Sequence, residues 1–386
     1  MSTADRHAVV VVGAGPAGLA TSAELRRRGI EHVVLERGDT VGYSWANLYD
    51  SLTLHTGKHL SALPRMTFDR SVPLFPSRRD FVAYLERYVE VFELPIETGR
   101  NVTAIERGKC RSLDFARDDS DEWLVRTDRG DITARDVVMA TGIIASPRVP
   151  DIPGRDRFRG RSMHSVEYRR PEGFAGRRVL VVGVGNSGGE IGSELANAGA
   201  RVTIAVRSGA NVVPRQIAGI PVQYLSFAMR ALPKRARTML AALVGRITEL
   251  RRGKPVLPKP AHGPLDAIPL IGFHLVDAIQ AGRVTVRGGV AALTECGARF
   301  TDGVEEPFDD VILATGFTAA LAPLGDLVRT DAKGFAMRTD RVTSADQPHL
   351  YFVGHSYDAT GGLYNIKRDA VLAAERIAAG ARRGAA

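Results

Sequence analysis

The chain has 386 residues, 44% hydrophobic and 25% charged, ordinary for a soluble globular protein and long enough for two or three domains. A formal charge of +9 would steer anionic ligands such as a phosphorylated nicotinamide cofactor, or simply mark an arginine-rich surface, and no nucleic-acid-binding module accompanies it. The two cysteines, Cys110 and Cys296, give no disulfide framework, metal spacing or Cys-x-x-Cys pair, and with no signal peptide or membrane span in the pattern the expected location is cytoplasmic.

Val9–Val12 is a continuous apolar run, as in a central parallel strand buried on both faces. It enters Gly13-Ala14-Gly15-Pro16-Ala17-Gly18, then a helix over Leu19–Arg28 stopped by Gly29, then a strand over Val33–Leu35 ending at Glu36 and Arg37. Such a turn aims helix amides at a pyrophosphate. Glu36 suits the hydroxyls of an adenosine ribose. Val137–Met139 then stops at Ala140-Thr141-Gly142, and Val311–Leu313 stops at Ala314-Thr315-Gly316. A small residue and a glycine after a buried strand either let the backbone pass a flat, bulky ligand or make a plain tight exit. The repeat suggests a chain that leaves its first nucleotide domain and later returns.

Pro147, Pro150 and Pro153 read as a stiff connector. The second fingerprint follows Val179–Val182 as Gly183-Val184-Gly185-Asn186-Ser187-Gly188, with a helix over Gly189–Ala198 and a strand over Val202–Val206. Arg207 stands where the first unit has Glu36. A cation there favours a 2′-phosphate, which assigns NADPH to the second site and FAD to the first. Arg215 is a second candidate contact, although a lone loop arginine is more often solvated. Farther on, Met239, Leu240, Leu243, Val244, Ile247 and Leu250 keep helical spacing beside Arg246, Arg251 and Arg252. Such a helix suits a membrane surface, but packing of its stripe on the domain is the preferred expectation. Leu350–Val353 reads as a strand into Gly354, and Asp369–Ala379 as a closing helix.

The expected fold is α/β, with two Rossmann-like dinucleotide-binding domains, the NADPH domain inserted into a discontinuous FAD domain. The expected boundaries are 1–150 for the FAD domain, 151–177 for a linker, 178–306 for the NADPH domain with a helical insert near 215–260, and 307–386 for the rest of the FAD domain.

The string Phe158-Arg159-Gly160-Arg161-Ser162-Met163-His164-Ser165-Val166-Glu167-Tyr168 has the spacing F-x-G-x-x-x-H-x-x-x-Y. With Ser187 completing G-x-G-x-S-G, the sequence resembles the class B flavin-containing monooxygenases, in particular their YUCCA branch of indole-pyruvate-type enzymes. Tyr49–His55, Gly263-Pro264-Leu265, Phe308–Phe317 and Asp369-Ala370 also match. Baeyer–Villiger relatives usually place a tryptophan where this chain has Tyr168.

The resemblance implies that FAD, reduced by NADPH, forms a C4a-(hydro)peroxide with O2 and passes one oxygen atom to a small organic substrate. An aromatic 2-oxo acid such as indole-3-pyruvate, decarboxylated oxidatively, is the first expectation. N- or S-hydroxylation and Baeyer–Villiger oxidation are the alternatives. A disulfide reductase lacks its cysteine pair here, whereas a non-catalytic redox sensor stays open, as does a homodimer.

His55 stands where heteroatom-oxidising relatives carry asparagine, so its imidazole either tunes peroxide protonation or is satisfied by hydrogen bonds alone. The resemblance also puts Asn186 among the catalytic residues, His164 at an interdomain NADPH hinge, Tyr168 among the cofactor contacts and Gly361–Asn365 beside the flavin, while Trp45 is either a flavin-stacking contact or a core residue. The expected cofactor contacts are thus Gly13, Gly15, Pro16, Ala17, Gly18, Glu36, Arg37, Trp45, His55, Thr141, Gly142, His164, Tyr168, Gly183, Gly185, Asn186, Ser187, Gly188, Arg207, Ala314, Thr315, Gly316 and Gly354, with no metal ligand.

Overall fold

A computed structural model describes residues 5–108, 122–229, 232–260, 269–356 and 361–383. Cys110 and Gly263-Pro264-Leu265 lie outside the described residues. The chain divides into two compact units, one made of residues 1–47, 56–146 and 317–386, the other of residues 48–55 and 147–316.

The first unit is built on β1 (Asp5–Val12), which runs parallel between β2 (His32–Leu35) and β6 (Ile132–Met139). Strand β3 (Ile96–Glu97) extends the sheet beyond β2, and Leu350–Phe352 runs parallel to the last residues of β6. β4 (Val102–Arg107) and β5 (Trp123–Thr127) add an antiparallel meander to the start of β6. Val9–Val12 is buried throughout, as a strand covered on both faces requires. Helix α1 (Pro16–Arg27) begins earlier than its apolar periodicity suggests, because Pro16 presets the first helical φ. Gly29, at φ +67°, ends it. A second helix, α2 (Arg78–Phe92), opens on a capping box in which Ser77 and Asp80 exchange hydrogen bonds of 3.1 and 2.9 Å. The closing helix spans Gly362–Arg383, starting well before Asp369, and packs on α1.

The second unit carries a five-stranded parallel sheet. Its strands are β7 (Arg161–His164), β8 (Arg178–Val182), β9 (Arg201–Ala205), β10 (Val284–Arg287) and β11 (Asp310–Leu313), in the order β10-β9-β8-β11-β7. Two sequence expectations change here. The stretch expected as a linker contains β7, an edge strand of this sheet. The strand before the second Ala-Thr-Gly pairs with β7 and β8, so the return to the first unit falls at Phe317 rather than near residue 307. A buried apolar run looks alike in any parallel sheet, and the clue to its partner lies one residue earlier. Buried Asp310 binds both Arg161 and Arg177, and Asp309 binds Arg178, so adjacent acids clamp the starts of β7, β8 and β11. The Arg178 guanidinium and backbone amide hold the Asp309 carboxyl down to about 2.

Helix α3 (Asn186–Asn197) follows β8. Helix α4 (Lys234–Arg252) lies in the insert, and α5 (His274–Gln280) precedes β10. The expectation that α4 buries its apolar stripe is overturned, because Met239, Leu243 and Leu250 are 73%, 53% and 83% exposed.

Candidate functional site

In the first unit the glycine turn is dictated partly by the protein and partly by the space it leaves. Gly13 sits at φ +105°, and a Cβ there would lie 2.8 Å from the Ala140 carbonyl oxygen. A Cβ on Gly18 would lie 1.8 Å from the Gly13 carbonyl oxygen. Both are backbone obstacles. A Cβ on Gly15 would meet nothing within 4 Å, and Gly15 caps α1 without any side-chain hydrogen bond. The first amides of α1, next to Pro16 and Ala17, therefore adjoin open space of the kind a pyrophosphate fills.

Glu36 braces this turn. Its two carboxylate oxygens accept from Ala14 N at 2.8 Å and Gly38 N at 3.0 Å, leaving its remaining lone pairs for ribose hydroxyls. Thr141 ties the neighbouring loop to Ala320 O at 2.8 Å, and Gly142 takes φ +76°. Gly354, at φ +84°, lies so close to Ala17 that a Cβ would come within 3.1 Å of that side chain. Arg37 is exposed and reaches Ala145 O at 3.5 Å. Trp45 meets Phe81 edge to face at 4.6 Å, which fixes its ring in the protein itself. Asn365, in the segment expected beside the flavin, is fully buried, and its amide oxygen accepts from Arg341.

The second unit repeats the arrangement. Gly183 is at φ +110° with a Cβ position 2.5 Å from Ala314 O, and Gly188 would collide with Gly183 O at 2.1 Å. Gly185 again faces open space and caps α3 without a side-chain partner. Ala314 thus does for the second turn what Ala140 does for the first. Thr315 donates to Arg148 O at 2.5 Å, and Gly316 takes φ +83°. Arg207, at the tip of β9, is exposed and forms no hydrogen bond or ion pair among the described residues.

Three expected site residues have their side chains engaged within the protein. The Asn186 amide donates to Pro269 O at 3.3 Å and accepts from Ile271 N at 2.8 Å, so it fastens that segment over the start of α3. Tyr168 is 1% exposed and donates to Glu194 at 2.8 Å. His164 is equally committed. Its Nδ1 accepts from Val166 N at 3.2 Å and its Nε2–H donates to Gly316 O at 3.0 Å, while burial pushes its pKa down. A neutral ring with both nitrogens engaged is a pin for the Ala-Thr-Gly exit.

His55 lies in the segment 48–55, which belongs to the second unit. Its Nε2 is 2.7 Å from Glu190 on α3, and the Tyr49 hydroxyl donates to the same carboxylate. Arg215 is partly buried and donates to Leu54 O at 2.6 Å, which engages one of its guanidinium nitrogens. Ser187 also reaches the Tyr49 phenol, whose pKa is raised by burial and then by Glu190. Burial pushes Glu190 up, but the bond and charge of His55 and the Tyr49 bond outweigh it, leaving the carboxyl below its ordinary value. Burial also lowers His274.

Sequence reasoning missed Glu190. An acid inside a helix otherwise rich in glycine and small residues was its available signal. Because its pKa is depressed, its stabilisation is complete above the ordinary value of 4.5 and disappears as pH falls through the lowered one. Glu190→Gln should cost about 1–3 kcal/mol at neutral pH. Denaturant unfolding of Glu190→Gln, Tyr49→Phe and the double variant checks this, since strict additivity would mean the two side chains do not share a bond.

Residues 6–338 match the family described as Flavin-binding monooxygenase-like. The indole-3-pyruvate monooxygenase YUCCA1 of Oryza sativa subsp. japonica is 38% identical over 317 residues, covering 80% of this chain and 76% of that protein. YUCCA8 of Oryza sativa subsp. indica is 34% identical, covering 96% and 90%. Among solved structures, the flavin-containing monooxygenase of Stenotrophomonas maltophilia superposes with a TM-score of 0.75 at 24% identity, over 98% of this chain and 99% of that one. A bacillithiol disulfide reductase of Staphylococcus aureus shares the fold at a TM-score of 0.70 and 17% identity, covering 97% and 99%. Two glycine cradles, one braced by an acid and one flanked by a free arginine, suit the FAD and NADPH on which such monooxygenases depend. The chain belongs to the flavin-binding monooxygenase-like family.

Proposed function

We propose that this monooxygenase oxidatively decarboxylates an aromatic 2-oxo acid of the indole-3-pyruvate type. The observation that carries the reading is the similarity to indole-3-pyruvate monooxygenases at 34–38% identity over most of the chain. His55, in place of the asparagine of heteroatom-oxidising relatives, supports it. When bound, FAD accepts hydride from NADPH and activates O2. The chain's own residues hold the two dinucleotides at helix N-termini and present Arg207 to the 2′-phosphate. The sequence has no Cys-x-x-Cys motif, which argues against a dithiol disulfide reductase. We take the cytoplasm as its place of work, where reduced cysteines such as the exposed Cys296 persist.

The test supplies indole-3-pyruvate, NADPH and O2 to the holoenzyme and measures CO2, indole-3-acetate and consumed NADPH together. Equimolar amounts support the proposal. NADPH oxidation that yields only hydrogen peroxide with the oxo acid, but couples to an amine or thioether, would replace it by heteroatom oxidation.

Arg207→Ala should raise the KM for NADPH roughly tenfold to a hundredfold, the size of one charge-assisted bond, with little change for NADH. Equal losses with both nucleotides would take the 2′-phosphate away from Arg207.

A further inference from the structure

Helix α4 is anchored at one end and bare along one face. Arg252 pairs with Asp277 of α5 and stacks 3.9 Å over the Phe273 ring, and its carbonyl accepts from Gln280 at 2.8 Å. Ahead of that anchor, Met239, Leu243, Ile247 and Leu250 recur at helical spacing, so they share one face, with Leu240 beside them. All five are exposed, Ile247 by 43% and Leu240 by 38%. At about 100° per residue, Arg235 and Arg246 fall along one border of this stripe and Arg251 along the other. All three arginines are exposed.

We propose that this face of α4 docks the protein onto an anionic lipid surface. The apolar side chains would enter the boundary between headgroups and acyl chains, while the bordering arginines meet lipid phosphates with their stems lying along the apolar layer. Charge complementarity selects this occupant. A second copy laid face to face on α4 would bring arginine borders together, whereas an anionic bilayer neutralises them. The net charge of +9 adds long-range attraction of the same sign. Among the described residues no helix is long and apolar enough to cross a membrane, so the helix lies along the surface. The Arg252 anchor keeps the helix tied to the dinucleotide unit, so docking and cofactor binding use different residues.

The experiment sediments the FAD-loaded enzyme with vesicles of phosphatidylcholine alone and with vesicles of about three parts phosphatidylcholine to one part phosphatidylglycerol. Binding to the anionic vesicles is expected to exceed binding to the neutral ones at least about tenfold, and to weaken in about 0.5 M salt. The Leu243→Glu/Leu250→Glu variant should lose at least about tenfold of that partition, because both the apolar insertion and the charge balance change. An Arg235→Gln/Arg246→Gln/Arg251→Gln variant should bind more weakly and with a flatter salt dependence. Flavin content and NADPH oxidation of both variants should match the parent, since the altered residues are exposed. No partition into anionic vesicles, or partition that neither variant reduces, overturns the proposal. So does a concentration-dependent dimer that both variants dissociate in the absence of vesicle binding, which would give the face to a second copy.

Discussion

Protein carrying Gly18→Ala is expected to purify without flavin and to unfold more readily than the parent. The new Cβ would lie 1.8 Å from the Gly13 carbonyl oxygen, a main-chain atom of the turn and not the end of a flexible side chain. Helix α1 must therefore back away from the glycine turn. Overpacking of this kind costs about 1–3 kcal/mol, and it also displaces the amides that meet the pyrophosphate. Gly15→Ala makes the informative comparison. Its Cβ meets no protein atom within 4 Å, so the fold should keep its stability while the added methyl occupies ligand space. Flavin absorbance of the purified proteins, with thermal unfolding of the flavin-free forms, separates the two effects. Full flavin content in Gly18→Ala, or equal destabilisation by both variants, would contradict this division.

Acidification should weaken the first unit through buried His355. His355 is 1% exposed, its ring lying 5.3 Å from that of Phe352 and 6.1 Å from that of Phe335. Neither ring nitrogen has a hydrogen-bond partner among the described residues. Burial, and then the nearby Arg338 charge, push its pKa down to about 3, from an ordinary value of 6.5. As pH falls below 6.5 the unfolded chain takes up a proton that the folded ring refuses. Stability is therefore complete above 6.5 and drains until the folded value is reached, at up to about 1.4 kcal/mol per pH unit. By pH 5 the loss amounts to about 2 kcal/mol. His355→Phe keeps an aromatic ring among aromatic neighbours and removes the proton, so its unfolding free energy should fall less between pH 7.5 and 5. Identical pH slopes in denaturant titrations of the two proteins would remove His355 as the cause.

The local grammar of this chain was readable and its long-range pairing was not. Val9–Val12 and Val179–Val182 announce buried parallel strands because four successive apolar residues, nearly all β-branched, run straight into a glycine turn. The placement of Glu36 and Arg207 just past corresponding strands was equally legible, Glu36 bonded to the glycine turn and Arg207 exposed. Val311–Leu313 was assigned to the wrong sheet because apolar runs carry no address. The arginine partners of Asp309 and Asp310 are what join it to β7 and β8. Asn186, His164 and Tyr168 sit inside motifs that resemble ligand-binding strings, yet their side chains are consumed by Pro269, Ile271, Val166, Gly316 and Glu194. Spacing cannot show that a side chain is already spoken for. The stripe on α4 failed for the opposite reason. Amphipathic periodicity states that one face is apolar, and only tertiary structure states whether anything covers it.

The paired contacts of Gly13 with Ala140 and of Gly183 with Ala314 mean that each cradle is assembled almost wholly from main-chain atoms. Main chain recognises a pyrophosphate but is blind to what hangs from the ribose. In the second unit the proposed choice of nucleotide falls to Arg207, which is exposed and sits outside the close-packed turn. Descendants of this chain can exchange one reductant for another by altering that residue, with no penalty in the packing that holds the turn. Grip and taste are separately inherited.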